Sequence, residues 1–214
     1  MINKNLIKRM VEIDRKYNHG FLPSSLSALP IIKEIYENFD DKHDVFILSK
    51  GHAALALYVV LEERGLKPKV ENSHIERDIE NGIYCTTGSL GHGLPIAAGV
   101  ALAKKIKGDS GKVHVLLGDG ECQEGTFWET VIFINEFNIN NLSIYIDRNN
   151  YQGSKETNID ITRMAGLLCR YPNVMIKIYS HIKGYGLETL SKRPWLHIFR
   201  MSDNDYSEVM KELE

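Results

Sequence analysis

Asp119 and Asn149 are the residues around which chemistry can be built. Each supplies a hard oxygen. Each also follows an apolar run that reads as a buried strand: VHVLL before Gly118-Asp119-Gly120, and LSIYI before Asp147-Arg148-Asn149-Asn150. Mg²⁺ takes few protein ligands and fills its remaining positions with phosphate and water oxygens. One carboxylate, one amide oxygen and one carbonyl would therefore suit a metal clamped to a diphosphate. The glycines let backbone approach a ligand closely. A helix opening near Gln123-Glu124-Gly125 would offer free N–H groups to an anion. Taken singly, Asp119 reads better as a turn aspartate and Asn149 as an Asx turn. Taken together, at the ends of two neighbouring strands, they point to a metal and a diphosphate.

The elements that must hold them follow from periodicity. Leu6, Ile7, Met10, Val11, Ile13 and Tyr17 fall on one helical face. A second helix is predicted near Leu26–Phe39, with Ser24 or Ser25 as its cap and Pro30 in its first turn. A short apolar run, Val45–Leu48, precedes SKGH, and helices are predicted at Ala53–Glu63, Leu94–Lys107 and Glu124–Phe137. Val174–Tyr179 reads as another strand, and Asp203–Leu213 as a helix capped by Ser202. Strands alternating with helices imply an α/β fold with a parallel sheet flanked by helices, in one domain over residues 1–214. Such sheets bind ligands at the carboxyl ends of their strands.

Composition narrows the class. Lys plus Arg is 26 against 28 Asp plus Glu, which leaves no electrostatic footprint for nucleic acid. No apolar run approaches the roughly 20 residues of a membrane span. Cys85, Cys122 and Cys169 form neither a disulfide framework nor a zinc pattern. A reduced, cytoplasmic setting is expected.

Five segments together carry a resemblance. GDGECQEGTFWE followed by NLSIYIDRNNYQ resembles the thiamine diphosphate motif of the transketolase family. YNHGFLPSSLSALPIIKEIY, FILSKGHAALALYVVL and TTGSLGHGLPIAAGVALAKK resemble its opening His-Gly, Ser-Lys-Gly-His and Gly-Ser-Leu-Gly segments, in the same order. The resemblance implies the thiamine diphosphate-binding fold and that cofactor, with Mg²⁺ (or Ca²⁺). It implies that Asp119 and Asn149 ligate the metal by side chain and Tyr151 by its backbone carbonyl. Gly118, Asp119, Gly120 and Glu121 would form the loop on the diphosphate. His52 would touch the diphosphate, and Gly91 and Gly93 would pass close to the aminopyrimidine. His19 would hydrogen-bond substrate hydroxyls. Glu124 would lie at a subunit interface, in an acidic relay between paired sites. His197, after Lys183-Gly184-Tyr185-Gly186, stands near a family Trp-His with one residue inserted, and a substrate role and a structural one are both open for it. His92 stands where many members carry Gln.

The chain also departs from the pattern. Between Gly65 and Thr86 the usual Gly-His-Pro segment has no clear counterpart, with His74 the one candidate. About 20 residues join Asp160 to the KGYG turn, so one βα unit is expected to be missing or reduced. The pyrimidine-binding half, which carries the family's catalytic glutamate, is expected on a separate C-terminal subunit, in an α₂β₂ assembly. The expected activity is transfer of a two-carbon ketol unit between sugars. The competing readings are a non-catalytic regulatory subunit, or a component of another thiamine diphosphate enzyme acting on a nucleotide-linked sugar or a 2-oxo acid.

Overall fold

Three neighbouring strands release their chains at one edge, and this placement governs everything near the site. The computed structural model describes residues 3–157, 160 and 174–214. β1 (Val45–Leu48), β2 (Val113–Gly118), β3 (Leu142–Arg148) and β6 (Met175–Ser180) form a four-stranded sheet in the order β1-β2-β3-β6, every pair parallel. Leu48 pairs with Leu116 and Gly118 with Asp147, so the three sequences SKGH, GDG and Asn149–Tyr151 emerge side by side. A small antiparallel hairpin of β4 (Tyr151–Gln152) and β5 (Lys155–Glu156) follows directly.

Both faces of the sheet are covered, as a parallel sheet requires. Val113, Val115 and Leu117 of β2 pack into one core with α4 (Gly93–Lys107) and α5 (Gly125–Glu136). Leu116 of β2, with Phe46 and Leu48 of β1, packs into the other, with α1 (Lys4–Tyr17), α2 (Leu22–Glu37) and α3 (Ala54–Glu63). α3 is hydrophobic all round and almost wholly buried. A short helix, α6 (Glu188–Ser191), and the C-terminal α7 (Asp203–Leu213) close the chain, and Ser202 caps α7 by accepting from the Asp205 N–H. Among the described residues no helix is long and apolar enough to cross a membrane.

The second helix differs from its sequence expectation. It starts at Leu22, with Pro23 in the first turn, where a missing N–H costs nothing. Ser24 and Ser25 therefore lie inside it and cap nothing, and their hydroxyls are buried without partners. Pro30 sits mid-helix, where it removes the bond an amide would make to the Leu26 carbonyl. Burial of the whole segment against α3 and β3 outweighs that loss. Tyr17 is the one expected core position of α1 that is exposed, while Asp14 is buried instead. Cys169 and most of the stretch between Asp160 and β6 lie outside the described residues.

Candidate functional site

Asp119 follows β2 and is 1% exposed. Its Oδ1 accepts from the Gly120 N–H (3.0 Å) and its Oδ2 from the Asn150 N–H (2.6 Å). The second bond ties the loop after β3 onto the loop after β2. Asn149, also buried, turns back so that its Oδ1 accepts from the Tyr151 N–H (3.1 Å). Asn150 makes the turn in the left-handed region at φ 64°, a conformation asparagine tolerates. The carboxylate and the amide thus share one corner of the molecule. Burial pushes the Asp119 carboxyl up, while the Lys50 charge and the two N–H donors pull it down.

Beside this corner lie two buried ammonium groups. Lys50 Nζ is 2.5 Å from Asp147 Oδ2, which also accepts from Ser27 Oγ (2.7 Å). Lys183, at the tip of the loop after β6, donates to the Gly153 carbonyl (2.8 Å). It forms no ion pair with any described residue. Burial, then the Lys50 charge, lowers Lys183 to about 8, against the pull of Asp119 and Asp147. An ammonium held this way has unused capacity for an anion.

A third group is made of rings. Phe21 lies 5.6 Å from His52, 5.1 Å from His74 and 5.4 Å from His197, centroid to centroid, and His52 lies 5.3 Å from His197. Burial lowers all three imidazoles, His52 furthest, and the nearby lysines add to the effect on His52 and His197. They are held neutral, each able to donate one hydrogen bond and accept another. All three groups line one cavity of about 280 Å³.

Glu121 braces this arrangement. Its Oε2 accepts from the Gly118 N–H (2.8 Å), and its Oε1 accepts from the Gly91 N–H (3.2 Å) and from Ser49 Oγ. One buried carboxylate therefore joins the GDG, GSLGHG and SKGH loops.

The family description "Transketolase, thiamine diphosphate binding domain" matches residues 10–192. The chain belongs to the transketolase family. One of the two component chains of an apulose-4-phosphate transketolase from Phocaeicola vulgatus is 35% identical over 170 residues, covering 70% of this chain and 60% of that protein. The 6-deoxy-6-sulfo-D-fructose transketolase subunit of a Clostridium species is 31% identical over 169 residues, covering 69% of this chain and 62% of the relative. Transketolase from Leishmania mexicana superposes with a TM-score of 0.79 at 16% identity, over 98% of this chain and 40% of that one, and so shares the fold. The matches span about three fifths of these curated relatives.

As a transketolase-family domain, the chain gathers most of the residues the sequence singles out. Gly118, Asp119, Gly120, Glu121, Asn149, Tyr151, His52 and His197 all line the cavity. His19 does not. It stacks on Tyr17 (6.0 Å) with Nε2 3.0 Å from the Glu71 carbonyl oxygen. Gly91 and Gly93 lie behind the wall. A Cβ on Gly91 would stand 2.5 Å from Thr126 Oγ1, and one on Gly93 would stand 2.3 Å from Ser49 Cβ. These two glycines let the transketolase loops pack on one another. Glu124 is half-buried at the start of α5, beneath Gly91 and outside the cavity.

Lys50, Lys183, Phe21 and Gln152 escape the sequence reading, and His74 stands there only as a candidate. Lysines look like surface residues in a sequence. The available signal is position: Lys50 follows a buried strand and precedes Gly-His, and Lys183 opens a Gly-x-Gly turn after another strand.

Proposed function

We propose that the chain is the diphosphate-binding half of a two-chain transketolase that uses thiamine diphosphate and Mg²⁺ and moves a two-carbon ketol unit between sugars. The observation that carries this reading is the meeting of three strand-end loops in one cavity, with Asp119 tied to the Asn149–Tyr151 turn and two ammonium groups beside it. This donor set fits the cofactor. Asp119, Asn149 and the Tyr151 carbonyl would hold Mg²⁺, which relies on phosphate oxygens for its other ligands. Among the described residues no cluster of three or more His, Cys, Asp or Glu could hold a metal alone, as expected for an ion that needs the diphosphate. Lys183 and Lys50 would face the phosphate oxygens.

When bound, thiamine diphosphate supplies an acidic carbon that can take up and release a ketol fragment. The rest belongs to the chain's own side chains. His52, His74 and His197, kept neutral, hydrogen-bond sugar hydroxyls and can accept a proton from one and return it. Overall, one carbon–carbon bond breaks in the donor ketose and one forms at the aldehyde carbon of the acceptor, with no net redox change.

Relatives whose names mark them as one component of a divided transketolase support a separate partner chain. So does apolar surface on the α4–α5 side, where Leu90, Ile96 and Ile132 are exposed. An α₂β₂ assembly with Glu124 at a subunit interface fits that surface. The named relatives act on unusual sugars, and a substrate outside the common pentose phosphates suits this chain as well. The test is to purify the chain with a pyrimidine-domain partner and measure ketol transfer. Activity requiring both chains is expected. A saturated, assembled complex inactive toward every donor would favour the regulatory reading instead.

A further inference from the structure

The cavity has one feature that neither diphosphate nor metal binding uses. Its walls are polar side chains and glycines, except for Phe21, Leu90 and the Tyr151 ring. Phe21 stands at the centre of the imidazole group, within 5.6 Å of all three rings. A ligand that reaches His52, His74 and His197 must therefore lie against the phenyl ring.

Phe21 is also fixed in place. It directly precedes α2, whose next residue, Leu22, is fully buried. The Gly20 N–H donates to Asp14 Oδ1 (2.9 Å), and the Gly20 carbonyl accepts from the Phe199 N–H (2.8 Å). The second bond stitches the segment holding Phe21 to the segment holding His197. The apolar wall is thus held on both sides by backbone bonds and cannot swing away to admit water.

We propose that Phe21 sets the substrate selectivity of this site, and that the sugar carbon lying against it carries hydrogen or a methyl group instead of a hydroxyl. The substrate class is a deoxy sugar or one with a hydrocarbon end. This inference rests on the transferase reading above. A hydroxyl pressed on the ring loses its water and gains no partner, whereas a C–H or methyl group there buries apolar surface. Hydrophobic pockets discriminate by about tenfold to hundredfold on such differences.

The test uses the chain assembled with its partner and loaded with thiamine diphosphate and Mg²⁺. kcat/KM is measured for two matched acceptor pairs: D-ribose 5-phosphate against 2-deoxy-D-ribose 5-phosphate, and D-glyceraldehyde against lactaldehyde. Each is run with hydroxypyruvate and with D-fructose 6-phosphate as donor. The deoxy member of at least one pair is expected to be preferred about tenfold or more. Phe21→Leu, which keeps the wall apolar, should keep that preference. Phe21→His, which keeps a flat ring and adds polar atoms, should erase or invert it. Cofactor binding by each variant shows that the site has folded. A preference for the hydroxylated member, or ratios equal in the wild type and Phe21→His, would overturn the selectivity claim alone. A loaded complex that turns over no acceptor with either donor would remove the transferase reading together with it.

Discussion

Lys183 is a cation held where water barely reaches it, with one carbonyl as its hydrogen-bond partner. Its burial predisposes it to bind an anion, and also makes that binding sensitive to pH. With its pKa lowered to about 8, the ammonium is charged below that value and loses its proton as pH rises through it. Diphosphate favours the charged form, so affinity should be steady up to about pH 8. Above that it should weaken by at most about tenfold per pH unit. Calorimetric titration of thiamine diphosphate at pH 7 to 9.5 checks this. Lys183→Arg, always charged, should flatten the profile. Lys183→Met should weaken binding at pH 7 by about tenfold to hundredfold, the worth of a charge-assisted hydrogen bond of roughly 1.5–3 kcal/mol. An unchanged pH profile in Lys183→Met would show that this ammonium does not meet the diphosphate.

At the scale of elements, the turn between α1 and α2 carries an unusual cost. Asp14 is 2% exposed and accepts from the Gly20 N–H, and burial raises its carboxyl to about 6. A carboxyl with a raised folded pKa holds its proton more tightly in the folded chain than in the unfolded one. Its contribution to stability is therefore full below about pH 4 and is lost as pH rises through 6, a swing of roughly 3 kcal/mol. Asp14→Asn keeps an oxygen for Gly20 and removes the titration. The stability difference between variant and wild type, from denaturant melts, should grow in the variant's favour between pH 4 and 7. A difference constant with pH would refute the assignment.

The same elements show what a sequence makes legible. β2 and β3 are readable because a parallel strand buried on both faces is a short, unbroken apolar run, and their ends place Asp119 and Asn149 correctly. The start of α2 is not. Ser24 and Ser25 look like caps, but tertiary burial carries the helix back to Leu22. The imidazole group is only half legible. His52 and His197 lie in motifs, whereas His74 comes from an irregular segment and is brought in by packing against Phe21. His19 is adjacent to the opening Gly yet turns toward Glu71, and the ring facing the cavity is Phe21, two residues later.

At the scale of the whole molecule, a sheet covered on both faces holds three loops level at one edge, and Glu121 locks those loops together. The metal–diphosphate corner is thereby preorganised before any ligand arrives. The matches to curated relatives span only about three fifths of their length. In the proposed assembly a second chain completes the substrate side, while the diphosphate side belongs wholly to this one. The most direct test is to titrate thiamine diphosphate into the assembled complex with and without Mg²⁺, for the wild type and for Asp119→Ala. Tight binding that depends on Mg²⁺ and falls at least about a hundredfold in Asp119→Ala is expected. Binding of equal strength without Mg²⁺, or undiminished in the variant, would contradict the claim that Asp119 and Asn149 pin a metal-bound diphosphate.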